Sequence, residues 1–167
     1  MTPNALYIAG SSIVKDAAMA LPFVQVTDEF WVSPQLSASD IRDAAAAGFK
    51  LIINNRPDGE ILGQPKSADL EKAACDAGIG YVHIPVGGAG ITPDHLDAHL
   101  DARRATPGKT LAFCRTGTRS IFLGAYAAAS DGIAIDEILA KTAAAGYDVS
   151  AHRPALEGLA KDSCSKD

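Results

Sequence analysis

The sequence predicts an α/β fold with a central, mostly parallel sheet and helices on both faces. Short β-rich runs alternate with helix-forming segments, and the connections between successive strands are long enough to hold a helix, as parallel neighbours require. The third observation is size: at 167 residues and 47% hydrophobic, the chain can bury one sizeable core, and no second domain is expected.

The elements follow in order. Residues 1–22 form a weakly patterned N-terminal arm to which no element is assigned. Residues 23–26 and 30–32 are short β-rich runs separated by Thr27, Asp28 and Glu29, which suits two small strands or a hairpin. Ser37 or Ser39 can cap a helix through Ala47, with Gly48 as its stop. Residues 49–54 then read as a buried strand, broken by the turn chemistry of Asn55, Arg56, Pro57, Asp58 and Gly59. A helix beginning near Ser67 or Asp69 runs to Ala77, where Gly78 and Gly80 end it. Residues 81–84 are the next strand, followed by the glycine-rich loop 87–90. Thr92, Pro93 and Asp94 give a strong helix start. After Pro107 and Gly108 comes the strand 110–113, then helices over 120–130, 135–145 and 154–160. Residues 162–167 read as a flexible polar tail.

Composition narrows the function. A formal charge of −5 argues against a nucleic-acid or anionic-membrane partner, because those contacts need clustered Lys and Arg. No apolar run approaches the roughly 20 residues of a membrane span, and the start lacks a signal-peptide pattern, so the expectation is a cytoplasmic protein. Cys75, Cys114 and Cys164 lie far apart, with neither disulfide-framework nor zinc spacing. His95 and His99 are spaced i, i+4, but no Glu follows His95 and no third ligand is evident, so they read as a solvated helix face and no metal is expected. No cofactor motif is present, and the sequence specifies no oligomeric state.

The chemistry concentrates at residues 110–120. An apolar run ends in Cys114, a polar loop of Arg115, Thr116, Gly117 and Thr118 follows, and Arg119 and Ser120 open an Ala-rich helix. That order builds an anion cradle, in which loop amides and the positive end of a helix converge where the strand delivers the thiol. Such surroundings lower a cysteine pKa from about 8.5 into a range of roughly 3.5–7.5, making a nucleophile at neutral pH.

The run from Cys114 to Ser120 resembles the active-site loop shared by protein tyrosine phosphatases and rhodanese-type sulfurtransferases. The likeness extends to Asn54-Asn55-Arg56-Pro57-Asp58-Gly59-Glu60, with Gln64-Pro65 behind it, and to Tyr81-Val82-His83-Ile84-Pro85. In this order the blocks are similar to a bacterial family of phosphatase-like proteins found alone or joined to beta-lactamase-like hydrolase domains, and they cover about residues 24–160. The resemblance implies a dual-specificity-phosphatase-like fold with residues 23–161 as the catalytic domain, acting on a small anionic or phosphorylated substrate without a cofactor. Carried over, Cys114 is the nucleophile, Arg119 grips the oxyanion bidentately, and Ser120 assists the thiolate. Thr116, Gly117 and Thr118 line the anion site and Arg115 adds positive potential at its rim.

Two departures open alternatives. The phosphatase signature has five residues between Cys and Arg, whereas Arg115 to Thr118 make four here, a smaller cradle whose length resembles rhodanese, in which Cys carries sulfur as a persulfide. The loop after residues 81–84 offers Gly87 and Gly88 where phosphatases of this fold supply an aspartic acid. Asp58, at the end of a parallel strand, is the preferred replacement acid, with Asp94 behind it. Arg56 and His83 are candidates for supporting the site. Three readings therefore stand: a Cys114 phosphatase, a sulfurtransferase, and a non-catalytic phosphate- or sulfate-binding module.

Overall fold

A computed structural model describes residues 23–164. The arm assigned to residues 1–22 lies outside the described residues. Five strands, β1 (Val24–Gln25), β2 (Phe30–Ser33), β3 (Leu51–Asn54), β4 (Gly80–His83) and β5 (Thr110–Phe113), form one sheet in the order β1-β2-β5-β3-β4. Only β1 is antiparallel; β2, β5, β3 and β4 are parallel neighbours, as the long connections predict. Six helices complete the described chain: α1 (Ala38–Ala46), α2 (Ser67–Asp76), α3 (Pro93–Ala105), α4 (Thr118–Ser130), α5 (Ile135–Ala144) and α6 (Arg153–Cys164).

Strand alternation sorts the side chains between two layers. Ile52, Leu111 and Phe113 face α1 and α2, packing with Leu36, Ile41 and Leu70. Leu51, Ile53 and Ala112 face the other way, against α3 and α4, with Leu96, Ile121 and Leu123. Outside α4 lies a further layer, in which Ala125 and Ala129 pack on Ile138 of α5 and Leu156 of α6. The central strands β3 and β5 are buried at every residue, which is why they carry continuous apolar runs.

Local chemistry sets the boundaries. Ser37 starts α1 with a capping box: its hydroxyl accepts from the Asp40 N–H, and the Asp40 carboxylate accepts from the Ser37 N–H at 2.7 Å. Helix α6 continues to Cys164, so residues 162–164, read from the sequence as tail, are helical. Helix α4 begins at Thr118, two residues before the sequence expectation, because Gly117 takes a left-handed conformation (φ +89°) as its N-cap. Among the described residues, no helix is long and apolar enough to cross a membrane.

Candidate active site at the carboxyl ends of the strands

Strand β5 delivers Cys114 to the carboxyl edge of the sheet, where ligands of open α/β folds bind. The strand end is pinned by the Asn55 N–H, which donates to the Phe113 carbonyl at 2.8 Å. The chain then turns through residues 114–117, and the Gly117 N–H donates to the Cys114 Sγ at 3.1 Å. Gly117 is required twice over: its φ is left-handed, and a Cβ there would lie 2.5 Å from the Tyr147 hydroxyl. The Thr116 and Thr118 hydroxyls are bonded at 3.0 Å on the exposed side of the loop. Ser120 is fully buried, and its hydroxyl has no partner among the described residues. Arg115 is exposed, and its carbonyl accepts from the Gln35 N–H at 3.3 Å.

Arg119 is held from two sides. Its Nη1 donates to Glu60 Oε1 at 2.6 Å and to the Val86 carbonyl at 3.0 Å, and its Nη2 donates to Glu60 Oε2 at 3.0 Å. Val86 is placed by its own N–H, which donates to the Asn55 carbonyl at 3.0 Å. The Glu60 carboxylate raises the pKa of the guanidinium, and the nearby Cys114 sulfur adds to the effect when ionised. Arg56 also binds Glu60, through Nε at 2.7 Å, while its Nη1 donates to Gln35 Oε1 at 2.9 Å. Two arginines thus share one carboxylate. They hold the Glu60 pKa down at about 2 from an ordinary 4.5, with the Arg119 hydrogen bond the largest cause.

The sequence-predicted residues divide accordingly. Cys114, Gly117, Arg119 and Ser120 meet at one place, and Arg56 joins them through Glu60. Asp58 turns away: its carboxylate accepts from the Ser67 N–H at 2.8 Å and so caps α2. His83 is exposed, with Nε2 donating to the Arg56 carbonyl at 2.9 Å, a contact that supports the β3 loop. Asp94 is exposed in the first turn of α3. Nor do His95 and His99 share a solvated face. His95 Nδ1 accepts from the Thr92 N–H and its Nε2 donates to the Pro85 carbonyl at 3.0 Å, while His99 is fully buried against Phe30. The thiol itself is buried: Cys114 is 1% exposed.

Sequence reasoning assigned no role to Glu60 or Tyr147. Glu60 was visible as the acid closing the Asn54–Glu60 block, four residues after Arg56. Tyr147 has no local signal. It follows α5, and its hydroxyl donates to the Thr116 carbonyl at 3.4 Å. Its pKa is raised, first by burial and then by the charge of an ionised Cys114.

A family model described as the phosphatase-like domain of beta-lactamase hydrolase-like proteins matches residues 22–131. The chain belongs to this family. Its match ends at Asp131, before α5. A beta-lactamase hydrolase-like protein of Xylella fastidiosa is 34% identical over 130 residues, covering 77% of this chain and 30% of that protein. One from Agrobacterium fabrum is 37% identical over 109 residues, covering 65% of this chain and 25% of that one. The chain therefore spans less than a third of the length of these relatives. Among solved structures, a candidate phosphatase from Neisseria meningitidis is 31% identical with a TM-score of 0.71, covering 83% of this chain and 99% of that one. Fold likeness extends to Tk-PTP at 18% identity and a TM-score of 0.64. The phosphatase-like fold of this family is the one described above.

Proposed function

We propose that the protein is a cysteine-dependent phosphatase-like hydrolase of small phosphomonoesters. The observation that carries the reading is the Gly117 N–H donated to the Cys114 sulfur at the start of α4, with Arg119 beside it. The Cys114 thiolate attacks phosphorus, forming an S–P bond as the P–O bond to the leaving group breaks. The leaving oxygen departs with the bonding pair and takes a proton. Water then attacks phosphorus, the P–S bond breaks, and inorganic phosphate leaves with the thiolate restored. Arg119 and the amides at the head of α4 stabilise the equatorial oxygens. Because Cys114 is buried, the anion must open the cradle, and the Arg119 and Glu60 pair is the group it displaces.

Acid catalysis is the weak part of this site. Asp58 caps α2, and in the ligand-free protein Arg119 and Arg56 hold Glu60 in its ionised form. The substrates favoured are therefore those with good leaving groups, such as aryl phosphates. The same observation, with the four-residue spacing, favours a second reading as a sulfurtransferase. There the thiolate attacks the outer sulfur of thiosulfate, the S–S bond breaks, and sulfite leaves with the electron pair without needing a proton. The Cys114 persulfide then passes its sulfur to a thiol or to cyanide.

One pair of assays tests both. Under the first reading, p-nitrophenyl phosphate is hydrolysed by the wild type and not by Cys114→Ser. Thiocyanate formed from thiosulfate and cyanide, with no phosphate release, would replace the first reading by the second. Neither activity, combined with phosphate protection of Cys114 from alkylation, would reduce the site to anion binding.

A further inference from the structure

A cavity lies away from Cys114, at the amino-terminal end of β2. It has a volume of about 320 Å³ and is enclosed by the ends of β1 and β2, by α3 and α4, and by α5. Its apolar wall includes Phe30, Leu100, Ile121 and Ile138. Small residues on α4 make the room. At Gly124 a Cβ would sit 2.4 Å from the Phe30 ring, so a side chain there would have to displace that ring.

Most of the charged side chains around the cavity are paired with one another. Asp131 is paired with Arg104 at 2.6 Å and Glu137 with Lys141 at 2.5 Å. Arg103 lines the same space, half-buried, with its guanidinium 5.2 Å from the centre of the Phe30 ring. Among the described residues it has no hydrogen bond or ion pair; Glu29 and Asp131 attract it from beyond ion-pair distance. His99, behind Phe30, adds no compensating charge, because burial and the Arg103 cation keep it neutral. One half-buried guanidinium thus faces a partly apolar cavity without a direct ion-pair partner among the described residues.

The geometry points to a binding site for a small amphipathic monoanion, a carboxylate with an unbranched or aromatic apolar body, whose head pairs with Arg103 and whose body fills the space beside Phe30 and Ile138. The guanidinium fork suits a carboxylate, and its donors have no acceptor of their own among the described residues. The acids Asp131 and Glu137 at the rim would repel a dianionic phosphate more strongly than a monoanion. The cavity is large enough for a body of about eight carbons.

The test is calorimetric titration of the full chain with octanoate, with neutral 1-octanol of the same length and with acetate as controls. Octanoate is expected to bind with 1:1 stoichiometry, and octanol and acetate about tenfold or more weakly, since each lacks half of what the site reads. Arg103→Met should bring octanoate down to the level of octanol, and Ala128→Leu, which fills the cavity and keeps Arg103, should weaken both. Thermal melts establish that each variant is folded. Saturating inorganic phosphate should leave octanoate binding unchanged, because the Cys114 loop is a separate site. Equal binding of octanoate and octanol, an unaltered affinity in folded Arg103→Met, no binding at all, or competition by phosphate would each overturn the proposal.

Discussion

Glu60 offers the sharpest test of how the candidate site is held together. The carboxylate accepts three charge-assisted hydrogen bonds, from Arg56 Nε at 2.7 Å and from Arg119 Nη1 and Nη2 at 2.6 and 3.0 Å. Glu60→Gln keeps the shape and one acceptor oxygen but removes the charge. The Arg56 side chain is 3% exposed, so its cation would be left buried with Gln35 as its remaining side-chain partner. Stranding a fully buried charge costs about 3–5 kcal/mol. Glu60 and Arg119 are each more than a quarter exposed, and solvent screening discounts their share, so about 2–4 kcal/mol is the expected loss. At about 2–4 °C per kcal/mol for a chain of this size, the melting temperature should fall by roughly 4–16 °C. Urea denaturation across a pH series is the assay. The folded-state pKa of Glu60, about 2, lies below its ordinary 4.5, so its contribution is complete above pH 4.5 and disappears as pH falls toward 2. The gap between wild type and Glu60→Gln should be constant from neutral pH down to that point and then close. A loss under about 1 kcal/mol at pH 7, the size expected of a surface pair, would refute this account of a shared carboxylate.

Other perturbations give separate readouts. Gly117→Ala combines a left-handed backbone with a contact 2.5 Å from the Tyr147 hydroxyl, so it should cost at least about 1–2 kcal/mol in denaturation and abolish phosphate protection of Cys114. Asp58→Ala should remove the acceptor for the Ser67 N–H, lowering stability by about 1 kcal/mol while aryl phosphate turnover is unchanged; lost turnover would return Asp58 to the chemistry. His99 is buried with both ring nitrogens unpartnered and its pKa held down to about 3, so the unfolded chain takes up a proton there that the folded chain refuses between about pH 6.5 and 3. Stability should fall on acidification through that window, and His99→Leu should flatten the curve there and stabilise the protein at pH 5. Ile53→Ala, in a fully buried strand, should cost about 2–5 kcal/mol, measured in the same way.

Much of the fold is legible because its determinants are local. Strand β5 falls on the predicted residues because its apolar run is bounded by Gly108 and by the polar loop. The capping box of Ser37 and Asp40 and the left-handed Gly48 mark the helix between them. The nucleophile loop is equally local, since Cys114, Gly117 and Arg119 sit within six residues. What was not legible depends on partners far along the chain. Arg119 and Glu60 are 59 positions apart, and Tyr147 reaches Thr116 across 31. No spacing rule links such pairs. Asp58 is a related case: the sequence places it after β3, but not that its carboxylate accepts from the Ser67 amide nine positions on. His99 is a case of periodicity without direction, because its four-residue spacing from His95 does not say that the neighbouring Phe30 ring would draw it inward.

The strand order has a consequence for self-association. Both outer margins of the sheet are poor templates for a further chain: β1 spans two residues and β4 four, between Gly80 and Pro85. Proline offers no amide to a pairing neighbour, and so short a ladder gives an intruding segment few hydrogen bonds. Among the described residues, both margins of the sheet thus resist cross-β growth through short strands and a proline.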